Sequence, residues 1–238
     1  MTATMQLAEL SIEVRRKNIK NVHLSVHPPL GHVRMAAPLH INETSLRAFT
    51  IDKLSWIRAQ QQKLRQQERE APLEYVARES HFVWGKRYLL KVIEQDAAAK
   101  VTWEGRRILL YTRPDSSISQ RAQILENWCR EELRRELAPM LEHWQARIGV
   151  SVAAVFVQRM RTRWGSCNEQ TRTIRFNTDL ARKPRECLEY ILVHELVHLL
   201  ERKHNAHFSA LMDRFMPEWR QRRNLLNRLP LRHEEWTY

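Results

Sequence analysis

The 238-residue sequence predicts an α+β protein, with a β-rich N-terminal half and a helix-dominated second half that holds a small sheet. Three observations predict it. Apolar and polar residues alternate in short runs through Tyr111, whereas from Gln120 apolar residues recur at helical spacing. Between them lies Thr112 to Ser119, where Pro, Asp and Ser cluster as they do in connecting segments. On this reading residues 1–115 form a β-rich region with one long helix, and residues 116–238 form a second domain.

Ser11 to Arg15, Val22 to Val26 and His32 to Ala36 read as short strands, with His27 to Gly31 as a Pro-rich turn. Thr44 to Arg69 reads as one helix. It carries Leu46, Phe49, Ile51, Leu54 and Ile57 near helical spacing and ends in a Gln/Arg-rich solvated run. His81 to Trp84, Arg87 to Ile93, Lys100 to Trp103 and Arg107 to Tyr111 read as strands, with Gly85 and Gly105 at turns. Gln120 to Arg147 is a long amphipathic helix whose apolar positions are Ile124, Leu125, Trp128, Leu133, Leu137 and Leu141. Val152 to Met160 and Thr173 to Asn177 read as strands. Helices follow over Pro184 to Arg202, Asn205 to Phe215 and Pro217 to Leu229, both prolines suiting a first helical turn. No long repeat is visible.

Hydrophobic residues make up 43% of the chain, enough for a buried core. The formal net charge of +13 predicts weak, salt-sensitive, non-specific nucleic-acid binding, with a solvated basic surface as the alternative. The three cysteines, Cys129, Cys167 and Cys187, match neither a disulfide framework nor a CxxC metal site. The N-terminal stretch lacks a signal-peptide pattern, and no run of about 18 apolar residues exists that would span a membrane. These features predict a cytoplasmic protein without a membrane partner. Nothing in the sequence marks an oligomeric state.

His194-Glu195-Leu196-Val197-His198 carries the strongest chemical signal. Residues i and i+4 share a helix face, so two imidazoles here can share one metal ion, and Zn²⁺ suits imidazole. Glu195 is rotated by about 100° from His194, which places it beside such an ion, able to take a proton from water there. Tyr190 to Val193, Leu196, Val197, Leu199 and Leu200 make the helix apolar almost all round, hence buried. A buried His-Glu-His set needs partners, since each unpaired polar group costs roughly 1–3 kcal/mol. A metal satisfies all three. The competing reading is two core histidines bonded to backbone, with Glu195 paired to an arginine. For a third ligand His204 is favoured, in the turn before Asn205, a good N-cap for the next helix. His207, inside that helix, is the alternative.

Arg161 to Cys167 (RTRWGSC) is the second unusual stretch. Arg163, Trp164, Gly165 and Ser166 read as a strand edge beside the metal that pairs with an extended substrate, and Gly165 permits a close backbone approach or a bend. A well-packed strand end is the alternative. No paired base is visible for Cys167, which points to packing.

RMRTRWGSC (159–167), TIRFNTDL (173–180), HELVHLLERKH (194–204), Phe208 and MPEWRQRRNLL (216–226) resemble the bacterial YgjP-like metallopeptidase family. EVRRKNIKNVHLSV (13–26), WIRAQQQKLR (56–65) and EYVARESHFVWGKRYLL (74–90) resemble its N-terminal half, so the likeness covers nearly the whole chain. The resemblance implies a minimal zincin-like catalytic domain with an HExxH active-site helix, akin to the SprT and WLM groups that cleave proteins attached to DNA. By motif position it implies His194, His198 and His204 as zinc ligands and Glu195 as the catalytic base. Glu201 replaces the glycine that metzincins carry between their second and third ligands, and Met212 and Met216 have helical surroundings rather than a Met-turn, so the chain is not a metzincin. Ser209 stands where many members carry Trp.

Three functions compete. The first is a zinc metallopeptidase acting on a protein or peptide. The second is a metal-dependent hydrolase of a small phosphorylated substrate such as a nucleoside triphosphate. No Walker-type glycine loop supports it, and an acidic cluster suited to Mg²⁺ is absent from the sequence. The third is a non-enzymatic nucleic-acid-binding module with a structural zinc. Such sites favour four protein ligands, often Cys, and would leave Glu195 idle.

Overall fold

A computed structural model describes residues 2–27, 31–66 and 69–232. Among these residues it contains eleven strands and six α-helices. They fall into two compact units: Met1–Ala71 with Pro230–Tyr238, and Pro72–Leu229. None of the helices among the described residues is long and apolar enough to cross a membrane.

In the first unit β1 (Thr2–Leu7) and β2 (Leu10–Lys17) form an antiparallel hairpin with Leu7 opposite Leu10. β3 (His23–His27) pairs antiparallel with β4 (His32–Pro38), and β4 runs parallel to β2, giving the order β1-β2-β4-β3. Side-chain alternation sets the faces. Ile12, Val14, Val33, Met35 and Ala37 are buried with Leu46 of α1 (Glu43–Asp52) and Ile57 of α2 (Leu54–Gln66). On the other face Glu13 accepts from Arg15 Nε at 2.6 Å and Arg34 Nε at 2.7 Å. Arg15, opposed by partial burial and helped by Arg34 and His32, brings the Glu13 carboxyl down to about 2.

Sequence periodicity suggests one helix over 44–69, but the structure divides it at Lys53. The Thr50 hydroxyl donates to the Leu46 carbonyl at 2.8 Å, and the Lys53 N–H is shared between the Phe49 and Thr50 carbonyls, which tightens the turn locally. Residues 67 and 68 at the end of that helix lie outside the described residues, as do residues 28–30 of the Pro-rich turn. β1 is a strand the sequence reading lacks. Only Met5 of its described side chains is buried, so its alternation carries little apolar signal.

The second unit opens with β5 (Ser80–Val83) and β6 (Lys86–Glu94), joined by Trp84 and Gly85, both at positive φ (49° and 74°), as a two-residue hairpin requires. β7 (Lys100–Glu104) pairs antiparallel with β8 (Arg107–Thr112), and β8 runs parallel to β6 in the order β5-β6-β8-β7. This repeats the strand order and pairing directions of the first sheet. In both, a helix follows the fourth strand. The repetition lies in topology, which needs only alternation and turns; no long sequence repeat accompanies it.

α3 (Ile118–Ile148) starts at a capping box formed by Ser117 and Gln120 and ends at Gly149, whose φ of 79° suits a C-terminal glycine. Its buried face, Leu125, Cys129, Leu133, Leu137, Trp144 and Ile148, joins Leu90, Ile108 and Leu110 of the second sheet in one core. Trp128 also meets Trp103 of β7 edge-to-face at 5.6 Å. The compact units therefore divide at Ala71/Pro72 rather than at residues 115/116. The Pro-Asp-Ser cluster is a helix cap inside the second unit, not a linker.

Beyond α3, β9 (Ala154–Gln158), β10 (Gly165–Asn168) and β11 (Thr173–Asn177) make a three-stranded sheet in the order β10-β11-β9, with β10 at an edge. A tight 3-10 turn (Thr178–Arg182) leads to α4 (Arg185–Val197), then α5 (Ala206–Phe215) and α6 (Trp219–Arg228). The helix expected over 184–202 ends earlier. Leu199 and Leu200 already bond the carbonyls three residues back, which unwinds the chain toward His204.

Candidate metal centre

α4 is buried on nearly every side: Cys187, Leu188, Tyr190 to Val193, Leu196 and Val197 all belong to the core. Its last turn carries His194 and Glu195, and His198 follows as the C-cap. The i, i+4 spacing sets the His194 and His198 rings 4.8 Å apart, nearly perpendicular. After His198 the chain turns back, and Asn205 caps α5 by accepting from the Phe208 N–H at 2.9 Å. That turn brings His204 Nε2 to 3.0 Å from His194 Nε2. One nitrogen from each of His194, His198 and His204 lies within 4.8 Å of the others. His207, the alternative third residue, stands exposed inside α5 and is outside this cluster.

The donor set fits a divalent ion of zinc type. His198 Nδ1–H donates to the Glu201 carbonyl at 3.1 Å, which leaves its Nε2 lone pair for the cluster. Burial, with the neighbouring His198 and His204, takes His194 down to about 3, and burial also lowers His198, so both are neutral imidazoles at pH 7. Among the described residues His194 Nδ1 is buried without a hydrogen-bond partner. Neutral imidazole nitrogens converging in this way repel one another unless a cation or proton lies between them. Phe208 is a shared support: its ring centroid is 5.0, 4.8 and 4.8 Å from those of His194, His198 and His204.

Glu195 is only 5% exposed. Burial lifts its carboxyl to about 8, against the pull of the Arg163 charge. It lies against Gly165 so closely that a Cβ there would fall 2.7 Å from Glu195 Oε1 and 2.9 Å from Ile191 Cγ2. The close backbone approach expected at Gly165 is thus an approach to Glu195.

A cleft of about 480 Å³ is lined by the three histidines and Glu195, by Arg163, Gly165, Ser166 and Cys167, and by Glu169 and Arg202. Three of the four residues expected to bind substrate therefore face it. Trp164 does not line it; the indole packs against the core, with Lys183 Nζ 5.9 Å from its ring. Burial pushes the Cys167 thiol up to about 11, helped by Glu195, which makes it unreactive at pH 7.

Asn177 is a residue that sequence reasoning passed over. It is buried, and its Nδ2 donates to the Met160 carbonyl at 2.7 Å and the Arg163 carbonyl at 2.9 Å. Its Oδ1 accepts from the Asp179 N–H at 3.1 Å. The available signal was an Asn ending a strand before Thr-Asp, where a carboxamide can satisfy donors and acceptors of a neighbouring loop together.

Residues 20–229 match the family described as "YgjP-like, metallopeptidase domain". No curated protein matches the chain. Among solved structures the chain is similar to the metallopeptidase zymogen of Pyrococcus abyssi abylysin, at 22% identity over 37% of this chain and 89% of that one, with a TM-score of 0.35. The metallopeptidase zymogen of Methanocaldococcus jannaschii jannalysin is similar at 19% identity, covering 37% and 90%, with a TM-score of 0.34.

Proposed function

The chain belongs to the YgjP-like metallopeptidase family, and on that premise we propose that it is a zinc-dependent peptidase held together chemically by His194, His198, His204 and Glu195. The observation that carries this reading is the convergence of three imidazole nitrogens beside a buried carboxylate in one cleft. A zinc ion bound by the three histidines would polarise the scissile carbonyl and acidify a water molecule.

Glu195 takes the proton of the attacking water and returns it to the leaving nitrogen. Its burial suits that task, because a carboxylate whose proton affinity is raised toward neutrality can both accept and release a proton near pH 7. Gly165 leaves room for the carboxylate and holds β10 against it. As the edge strand of its sheet, β10 offers backbone groups to an extended peptide, with Ser166 in the cleft lining. Three free cysteines fit a reducing cytoplasm, and the net charge of +13 supports weak contact with nucleic acid that fades as salt rises.

The deciding experiment incubates zinc-loaded protein with peptides and with nucleoside triphosphates. Cleavage of peptides is expected; turnover of the triphosphates alone would replace this reading with a phosphohydrolase. His194→Ala, His198→Ala and His204→Ala should each lose most bound zinc by elemental analysis, and His207→Ala should keep it. The reverse pattern for His204 and His207 would move the third ligand into α5.

A further inference from the structure

Four charged side chains besides the histidines line the cleft: Arg163, Glu169, Glu195 and Arg202. Arg202 and Glu169 answer each other, with Nε 3.1 Å from Oε1. Glu195 is buried and is the base in the reading above. That leaves Arg163. Among the described residues its guanidinium forms no hydrogen bond or ion pair, its charge acts on Glu195 only through space, and the side chain is exposed.

The backbone beneath Arg163 is fixed, in contrast to its open side chain. Asn177 Nδ2 donates to the Arg163 carbonyl at 2.9 Å, and the Asn177 N–H donates to the Trp164 carbonyl at 2.9 Å. The backbone that carries the guanidinium need not reorganise on binding, and its planar fork matches the two oxygens of a carboxylate.

We propose that Arg163, mounted by Asn177 at the rim of the cleft, binds a carboxylate of the peptide substrate and so selects acidic substrates. This rests on the peptidase reading of the same site. The carboxylate comes either from an Asp or Glu side chain or from a peptide C-terminus, and both present the same two oxygens.

The test uses one peptide sequence in three forms: Asp-containing with an amidated C-terminus, its Asn counterpart amidated, and the Asn form with a free C-terminus. Binding to zinc-loaded Glu195→Gln protein is read by fluorescence anisotropy, and cleavage by the wild-type protein is followed in parallel. One acidic form should bind roughly 10–100-fold more tightly than the neutral one, as charge-assisted hydrogen bonds allow; which form does so identifies the source. In the Glu195→Gln background Arg163→Gln should erase the difference while zinc content stays unchanged, and Arg163→Glu should favour a Lys-containing peptide. Equal binding of all three forms, no binding of any, or an acidic preference that survives Arg163→Gln overturns the proposal. Cleavage without acidic preference removes the role of Arg163 and leaves the peptidase. Arg163-dependent binding without cleavage does the opposite.

Discussion

Two four-stranded sheets in this chain share strand order, pairing directions and a helix after the fourth strand, yet only the second lies in the unit that carries the histidine cluster. What differs is the hairpin tip. In the second sheet Trp84 N–H and Gly85 N–H donate to the Ala181 and Arg182 carbonyls at 2.8 and 3.2 Å, fastening the tip to the turn that launches α4. In the first, Ala8 and Glu9 at the corresponding tip are exposed. One topology is thus a buttress in one place and a plain surface in another, and site chemistry has to be argued from contacts, not from topology.

Two glutamates make the same contrast. Burial lifts the Glu195 carboxyl, whereas arginines on an open sheet face pull the Glu13 carboxyl down. Glu195→Gln should lower turnover by about 10²–10⁴-fold and keep the zinc, while Glu13→Gln should leave turnover unchanged in the same peptide assay. Wild-type turnover by Glu195→Gln would end its role as the base.

The buttress can be attacked directly. A Cβ on Gly85 would meet Pro184 Cγ at 2.7 Å, and φ is 74°. Gly85→Ala should therefore cost about 2–4 kcal/mol in denaturant unfolding and weaken zinc retention through α4. A neutral result would mean that the tip does not brace the helix.

Glu13 supplies a smaller, pH-dependent effect. Its folded-state affinity for protons is depressed, so its contribution is present above the ordinary carboxylate range near 4.5 and is lost as pH falls toward about 2. Because Arg15 and Arg34 are partly solvated, Glu13→Gln should cost only about 1 kcal/mol or less near pH 7, and melting curves of the two proteins should converge in acid. A gap that persists at pH 2 would contradict the ion-pair account.

The mildest expected change is Ala8→Gly. Ala8 has φ of 51°, which glycine adopts without strain, so the first tip should gain about 0.5 kcal/mol. Opposite signs for Ala8→Gly and Gly85→Ala would sharpen the contrast between the hairpins. A loss at Ala8 would blur it.

Much of the site was legible because its spacing is local. The His194–His198 interval, the Asn205 cap and the return of His204 all follow from helix geometry within a dozen residues. The Gly165–Glu195 contact was legible only in part: glycine announces a close approach without naming the neighbour. β10 was read only as a strand edge over residues 163–166, and its extent to Asn168 was not legible because Gly-Ser-Cys-Asn carry no β-branched or alternating signal; the strand exists through pairing with β11. The division of the compact units at Ala71/Pro72 was not legible, because Pro, Asp and Ser serve caps and linkers alike, and α3 packs on the second sheet. The repeated topology stayed hidden because backbone pairing tolerates unrelated side chains.

Phe208 has a consequence for how the centre responds to temperature. One ring packs against all three imidazoles, so the docking of α5 and the placing of the three rings are coupled. Under the proposed function the triad is a chelator assembled when α5 docks. Metal release on warming should follow the undocking of that helix as one cooperative event, with no stepwise loss of single ligands.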